Sequence, residues 1–280
     1  MVKRGPFRGL STFPDHYPPT IKGDPMTRSL TILRSLLCLA FVCSLASLSA
    51  QETDLPKTCV PDGSHYEDDW WKERHDANKG RIAEGNVDLL LIGDSITHHW
   101  DTVGEKVRDY YYGDRNCVNM GFGGDQTQQV LWRLEDAPMD KIHPKAVMLL
   151  IGINNLWLAY GYDPDDVALG VKAIVDKLQS LYPDIQILLL LTFVTGEGGN
   201  DVVRPRVAQS NAKVIDLLQD YPNVTIKDIN YLWLNATNGV RPELMNDFVH
   251  PTEEGYKVWG AAVEPEISKM LGDAAKPPME

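Results

Sequence analysis

The sequence is poor in cysteine and in basic side chains. Its 280 residues include four cysteines, too few for a disulfide scaffold or for a zinc site built from Cys-x-x-Cys pairs. The 27 Lys and Arg are outnumbered by 39 Asp and Glu, which gives a formal net charge of -12. So acidic a chain repels phosphate backbones, which argues against nucleic acid and strongly anionic membranes as partners. The apolar fraction of 43% is that of an ordinary globular protein and excludes wholesale disorder.

A hydrophobic segment near the N-terminus is too short to span a bilayer. Residues 35–50 carry no charge and follow a basic stretch between Met26 and Arg34, but a spanning helix needs roughly 20 residues. This arrangement is typical of an export signal that ends in small residues. We therefore predict a signal peptide over residues 26–50, a secreted or periplasmic protein and no stable membrane span; an uncleaved anchor is the alternative. Residues 1–25 are polar and are expected to be unstructured or to precede the true start.

Two cysteines, Cys59 and Cys117, follow this segment. A disulfide can persist in an exported protein, so a bridge between them is a hypothesis. Two unrelated thiols explain the sequence equally well, because spacing along the chain fixes no geometry.

Residues 51–280 alternate between apolar runs and helical patterns. Four short runs have the composition of strands buried on both faces: Val87–Ile92, Cys117–Met120, Ala146–Ile151 and Ile185–Leu191. A weaker fifth run covers Val224–Ile229. The clearest helical pattern begins at Asp163-Pro164, a capping residue followed by proline. The last helix starts near Thr252 and is expected to kink or end at Pro265. The alternation predicts a single α/β domain, a parallel sheet with helices on both faces.

The segments that follow the predicted strands carry the chemistry. In such sheets, ligands bind beyond the carboxyl ends of the strands. Three segments fall at those ends and a fourth precedes the last helix: 93–95, 119–125, 152–154 and 247–250. They bring a serine hydroxyl, a glycine turn, a carboxamide and an Asp/His pair toward one rim of the sheet.

These groups suit acyl transfer. A serine hydroxyl needs a base to remove its proton, and His250 can serve Ser95 because imidazole titrates near neutrality. Asp247, three residues earlier, can reach the other ring nitrogen and hold the tautomer. The oxyanion of the tetrahedral intermediate needs preorganised donors. The backbone N–H groups of Ser95 and Gly121 and the side-chain amide of Asn154 are available, and glycine permits close approach of the backbone.

The same segments resemble the signature blocks of GDSL-type SGNH hydrolases, which stand here as Gly93-Asp94-Ser95, Gly121, Gly152-Ile153-Asn154 and Asp247-Phe248-Val249-His250. Stretches 119–125 and 130–134 are similar to the platelet-activating-factor acetylhydrolase catalytic-subunit group. The resemblance covers residues 88–270 and implies a flavodoxin-like three-layer sandwich. It also implies ester hydrolysis without metal or other cofactor, with the residue roles given above. Asn155 stands where much of the wider family has aspartate, although the acetylhydrolase group tends to asparagine.

Several other polar and aromatic residues lie close to these segments. Four are assigned to substrate contact: Asp94, Trp100, Asn155 and Trp157. Core packing or ordinary surface is an equally good interpretation of the two tryptophans and of Tyr160. His98 and His99 are expected at the rim or in the lining of the substrate pocket, in preference to a metal site or a role as the base, because no further ligands complete a metal site.

Two more local predictions concern the surroundings of the site. Asp125 is expected to cap the helix that follows the glycine turn. Trp70 and Trp71 are expected to pack under the first helix.

The sequence thus predicts a serine esterase that hydrolyses a small acetyl or other short acyl ester. The ester is carried by a phospholipid-like molecule or by an O-acetylated carbohydrate, and the sequence does not separate the two. A catalytically vestigial lipid- or carbohydrate-binding module of the same fold is the alternative, although an intact set of catalytic residues argues against it.

Overall fold

The computed structural model describes residues 55–280, so the predictions for segments 1–25 and 26–50 lie outside the described residues. A parallel sheet of five strands, in the order β2-β1-β3-β4-β5, forms the centre. The strands are β1 Leu89–Gly93, β2 Cys117–Gly121, β3 Ala146–Leu150, β4 Gln186–Leu190 and β5 Val224–Lys227. All five lie in the predicted runs. The runs of β1 to β4 are nearly continuous because strands covered on both faces have little room for polar residues, whereas β5 at the edge of the sheet is only partly buried and includes Thr225 and Lys227.

The register brings the ends of the central strands to one level. Gly93 at the end of β1 is paired with Gly121 of β2 on one side and with Leu150 of β3 on the other. The segments that follow these three strands therefore begin side by side, at the carboxyl edge of the sheet.

Helices cover both faces of the sheet. They are α1 Asp69–Ala83, α2 Ser95–His98, α3 Glu105–Tyr112, α4 Thr127–Asp136, α5 Ile153–Leu156, α6 Pro164–Leu181, α7 Arg204–Leu218, α8 Asn230–Trp233 and α9 Glu253–Leu271. Successive strand residues point to opposite faces, so Leu90 and Ile92 pack with α4 and α6 while Leu89 and Leu91 pack with α3 and α9. These two cores confirm the three-layer α/β fold.

The expectation that the last helix ends at Pro265 is wrong, because α9 runs through that residue to Leu271; a kink there stays a prediction. Trp259 and Val263 before the proline, and Ile267 after it, are fully buried against the sheet. A proline inside a helix costs about 3 kcal/mol, and each fully buried apolar side chain contributes roughly 1.5–3 kcal/mol. Packing on both sides therefore outweighs the lost backbone hydrogen bond.

The two cysteines of the described region are unlinked. Cys59 and Cys117 both carry free thiols, so the hypothesis of a bridge between them is wrong for this structure. Of the helices in residues 55–280, none has both the length and the apolar character that crossing a bilayer demands.

Candidate active site

A serine and a histidine distant in the sequence meet at the carboxyl edge of the sheet. Ser95 is the first residue of α2, directly after β1, and is half-buried. Its Oγ lies 2.8 Å from Nε2 of His250, although the two residues are 155 positions apart. A hydroxyl at hydrogen-bond distance from an imidazole nitrogen is the arrangement in which the ring can take up the hydroxyl proton.

Asp247 holds the other side of the imidazole. Its Oδ2 lies 2.7 Å from Nδ1 of His250, and its Oδ1 accepts the backbone N–H of His250 at 2.7 Å and that of Val249 at 3.0 Å. Phe248, between Asp247 and His250 in the sequence, has a φ of 63°, which folds this segment into a tight turn. Burial raises the pKa of Asp247, but these hydrogen bonds outweigh it and bring the pKa below its usual value. The carboxylate therefore stays charged and fixes the ring.

Two of the three predicted oxyanion donors face the same edge. The Ser95 N–H belongs to the first turn of a helix, where backbone N–H groups have no intrahelical acceptor. The Asn154 side chain uses Nδ2 to donate to the Asp125 carbonyl at 2.8 Å, which leaves its second N–H for another acceptor.

The third predicted donor, the N–H of Gly121, is wrong. It already donates to the side-chain Oδ1 of Asn119 at 2.8 Å, inside the protein. Glycine is required there for packing, because a Cβ at position 121 would lie 2.3 Å from the backbone nitrogen of His98. Gly121 therefore lets α2 approach β2 and does not face a substrate.

Gly124, further along the same turn, has the geometry that Gly121 lacks. It is exposed, its φ is 81°, and a Cβ there would meet no atom within 4 Å. Within the described residues no acceptor is bonded to its N–H. The carbonyl of the next residue, Asp125, is the one that holds Asn154. The sequence feature that could have identified Gly124 as a donor is the pair Gly123-Gly124 directly before Asp125. This pair follows β2, whereas Gly121 is the last residue of that strand.

Two of the residues assigned to substrate contact are internal, so those assignments are wrong. Asp94 is 1% exposed and caps α2, with its Oδ1 accepting the Ile96 N–H at 3.0 Å. Asn155 is fully buried, where it accepts the Thr127 N–H at 3.1 Å and donates to Gln128 at 2.8 Å. Both side chains form hydrogen bonds inside the protein: Asp94 stabilises the start of α2, and Asn155 connects the start of α5 to the start of α4.

The assignment of Trp100 to substrate contact is also wrong. Its ring is fully buried, with ring centroids 4.6 Å from Tyr256 and 5.0 Å from Trp259, beneath α9. Trp157 is half-buried after α5, and its role in substrate contact stays a prediction. Trp71 is buried as expected, but Trp70 is 47% exposed, so the prediction that it packs inside is wrong.

Asp125 does not cap α4, contrary to the prediction. The cap is Gln126, which forms a reciprocal capping box with Gln129. Asp125 is instead fully buried, and its carboxylate accepts hydrogen bonds from Arg133 Nε at 2.8 Å and Trp71 Nε1 at 2.7 Å. Its Oδ1 also lies 3.2 Å from His65 Nδ1.

Arg133 extends this network to the strand ends. Its guanidinium donates to the carbonyl of Met120 at 2.9 Å and lies 3.4 Å from that of Gly93. A single buried ion pair thus ties the glycine turn to the ends of β1 and β2, next to Ser95.

His98 and His99 lie at the rim. The ring centroid of His99 is 5.0 Å from that of His250. Burial, and then the charge of Arg74, lower the pKa of His98 to about 4, and burial also lowers the pKa of His99. Within residues 55–280 there is no group of three His, Cys, Asp or Glu side chains placed to hold a metal ion.

Burial of Asp94 predicts a pH dependence of stability. Burial raises the pKa of this carboxyl from 3.8 to about 7, and its Oδ2 has no hydrogen-bond partner in the described structure. The folded protein thus holds a proton that the unfolded chain releases, so stability is lost as the pH rises from about 4 to 7. Asp94→Asn keeps the Oδ1 cap without the charge. We expect chemical denaturation at pH 5 and pH 8 to show a smaller loss of stability in this variant than in the wild type.

Asp88→Asn is the matched control. Hydrogen bonds from Asn116 and Lys145 lower the pKa of Asp88, so its contribution is present above the unfolded pKa and is lost only in more acidic solution. Its loss of stability between pH 5 and pH 8 should equal that of the wild type. An equal loss in Asp94→Asn as well would contradict the assignment to Asp94.

Similar sequences are found among proteins of known family. Residues 91–258 match the model of the GDSL-like lipase/acylhydrolase family. Platelet-activating factor acetylhydrolase IB subunit alpha2 of Gallus gallus is 28% identical over 193 residues, which cover 68% of this chain and 80% of the relative. Subunit alpha1 of Rattus norvegicus is 27% identical over 188 residues, covering 66% and 77%.

Solved structures show the same fold. A GDSL-like lipase from Bacteroides thetaiotaomicron superposes with a TM-score of 0.58 at 16% identity, covering 71% of this chain and 97% of the other. An acetylxylan esterase from Geobacillus stearothermophilus gives a TM-score of 0.51 at 20% identity, covering 68% and 96%. The family match spans more than half of the chain, so this protein belongs to the GDSL-like lipase/acylhydrolase family and is a carboxylic ester hydrolase.

Proposed function

We propose that this hydrolase cleaves small acetyl or short acyl esters through a covalent acyl-enzyme on Ser95. The observation that carries the proposal is the 2.8 Å approach of Ser95 Oγ to His250 Nε2, with Asp247 Oδ2 2.7 Å from the opposite ring nitrogen. Relatives named for acetyl-ester hydrolysis, the acetylhydrolase subunits and the acetylxylan esterase, favour a small acyl group.

In the first half-reaction Ser95 Oγ attacks the ester carbonyl carbon while its proton moves to His250 Nε2. The carbonyl oxygen becomes an oxyanion, for which the Ser95 N–H, the free N–H of Asn154 and the Gly124 N–H are the donors. Collapse of the intermediate breaks the bond to the alcohol oxygen, which takes the proton from His250. The acyl group is left as an ester on Ser95.

In the second half-reaction water takes the place of the alcohol. It gives a proton to His250 and attacks the acyl carbon, and the Ser95 oxygen leaves and recovers that proton. The products are a carboxylic acid and free enzyme. Asp247 stays ionised throughout and stabilises the imidazolium that forms in each half.

The acyl acceptor is a phospholipid-like molecule or an O-acetylated carbohydrate, both of which occur among the substrates named for the relatives.

We also propose that the protein is exported, on the basis of residues 26–50.

A fluorophosphonate probe tests the nucleophile directly. Such probes phosphonylate a serine only when a base activates it, and among residues 55–280 no other serine is hydrogen-bonded to a histidine. We expect one adduct per chain, located on Ser95 by peptide mass spectrometry, and no labelling of Ser95→Ala. An unlabelled wild-type protein would favour the vestigial binding module.

A further inference from the structure

A row of four aromatic rings leads from the imidazole of the candidate triad to the protein surface. The ring centroid of His250 is 5.0 Å from that of His99, His99 is 6.0 Å from His98, and His98 is 6.1 Å from Trp70. The last two rings are stacked, with 9° between their planes. We call these four residues the aromatic row.

The row borders the place where the ester must bind. His98 lies one turn after Ser95 on α2. A Cβ on Gly123 would lie 3.6 Å from Trp70 Cη2 and 3.9 Å from His98 Nδ1, so Trp70 and His98 stand beside the glycine turn that holds Gly124. An ester carbonyl held by Asn154 and Gly124 would place its alcohol portion between His250 and these rings, because His250 protonates the leaving oxygen.

Trp70 is the exposed end of the row. Its indole is 47% exposed, although tryptophan is usually largely covered by its own protein. Stacking on His98 holds the indole in one orientation. The side chain therefore loses little conformational entropy when a ligand covers it. A rigid indole with one free face suits a flat ring that presents C–H bonds.

The polar character of the row favours a neutral ligand that carries hydroxyl groups. With the pKa of His98 lowered to about 4 and that of His99 also lowered, both rings are neutral near pH 7. Neutral imidazoles both donate and accept hydrogen bonds. The cation beside His98, Arg74, is held by Asp101 at 2.7 Å and by the Gly121 carbonyl at 2.9 Å. A phosphate headgroup would find no unpaired cation in these residues.

We propose that the aromatic row binds the acyl acceptor and that this acceptor is a sugar ring bearing an O-acetyl group. The inference rests on the proposed function at Ser95, because the row matters only for an ester that reacts there. It selects one of the two acceptor classes considered above and makes Trp70 a specificity-determining residue.

The test compares three acetyl esters, followed by acid release in a pH-stat. They are a methyl tri-O-acetyl-xyloside, vinyl acetate, which has no ring, and an acetylated alkyl glycerophosphocholine. For Trp70→Ala we expect the ratio of kcat/KM for the xyloside to kcat/KM for vinyl acetate to fall about tenfold, mainly through KM, because the lost stacking favours only the ring-bearing ester. Trp70→Phe should restore most of the ratio.

Tyr231→Ala is the matched control, since Tyr231 is 69% exposed and lies outside the row. It should leave the ratio within twofold of wild type. The proposal is overturned if the ratio is the same in Trp70→Ala and Trp70→Phe as in the wild type. It is also overturned if kcat/KM falls only for the phospholipid ester. Full vinyl acetate hydrolysis by Ser95→Ala would instead reject the proposed function itself, so the two failures are distinguishable.

Discussion

Ser95→Ala is expected to lower kcat for 4-nitrophenyl acetate by roughly 10⁵-fold while the protein stays folded. The substitution removes the only oxygen placed 2.8 Å from His250 Nε2 in the described structure, so no acyl-enzyme can form. Hydrolysis that remains would come from water oriented by the oxyanion donors. Burst kinetics, circular dichroism and thermal unfolding of purified full-length protein give the activity and the integrity of the fold.

Two further variants sharpen this prediction. Ser180→Ala, on the exposed face of α6, should leave kcat unchanged. His250→Ala introduced into Ser95→Ala should cost little beyond the single change, because catalytic residues that act as a unit have non-additive effects. Full activity of Ser95→Ala, or a double variant that loses another thousandfold, would contradict a mechanism in which His250 acts on Ser95.

The four strands β1 to β4 could be predicted because burial on both faces requires a nearly continuous run of apolar residues, and the partly buried edge strand β5 has the weakest run. All five apolar runs are strands, and the capping pair Asp163-Pro164 does begin α6, with the Asp163 side chain accepting the Asp165 N–H. The placement of Ser95 and Asn154 at one edge followed from one topological rule, that strand ends share an edge. Segment 247–250 does not directly follow a strand, and its place at this edge was expected from the Asp-x-x-His pattern before the last helix. These predictions depend on the hydrophobic pattern and on the order of strands and helices along the chain, and they do not require knowledge of side-chain packing.

Predictions about individual side chains failed where packing decides. Gly121 and Gly124 both follow the glycine-rich pattern, and only the contact with α2 shows that Gly121 is needed for helix approach. Trp100 follows Ser95 by five residues and was assigned to substrate contact, whereas Trp70 lies in the first helix and was expected to be packed. Which of them is buried depends on α9, whose Tyr256 and Trp259 cover Trp100 from the far end of the chain. No local spacing carries that information.

Asp125→Asn is expected to be the most destabilising single change near the site. Both partners of the Asp125–Arg133 ion pair are fully buried, at 2.8 Å. Neutralising the carboxylate leaves a buried guanidinium without a counter-charge, which typically costs about 3–5 kcal/mol. We expect a loss of this size in the free energy of urea unfolding. The kcat for ester hydrolysis should also fall at least tenfold, because the Asp125 carbonyl positions Asn154 and the adjoining turn holds Gly124.

A double-mutant cycle separates the ion pair from general loss of packing. Arg133→Met leaves a buried carboxylate without its partner, so it should destabilise as strongly as Asp125→Asn. In Asp125→Asn with Arg133→Met no buried charge is left unpaired, and the double variant should be more stable than the sum of the single losses predicts. Lys141→Met removes an exposed partner of Asp140 and should leave the unfolding midpoint unchanged. Additive losses in the cycle would show that the two side chains act independently, and the network would then not be what connects the glycine turn to the ends of β1 and β2.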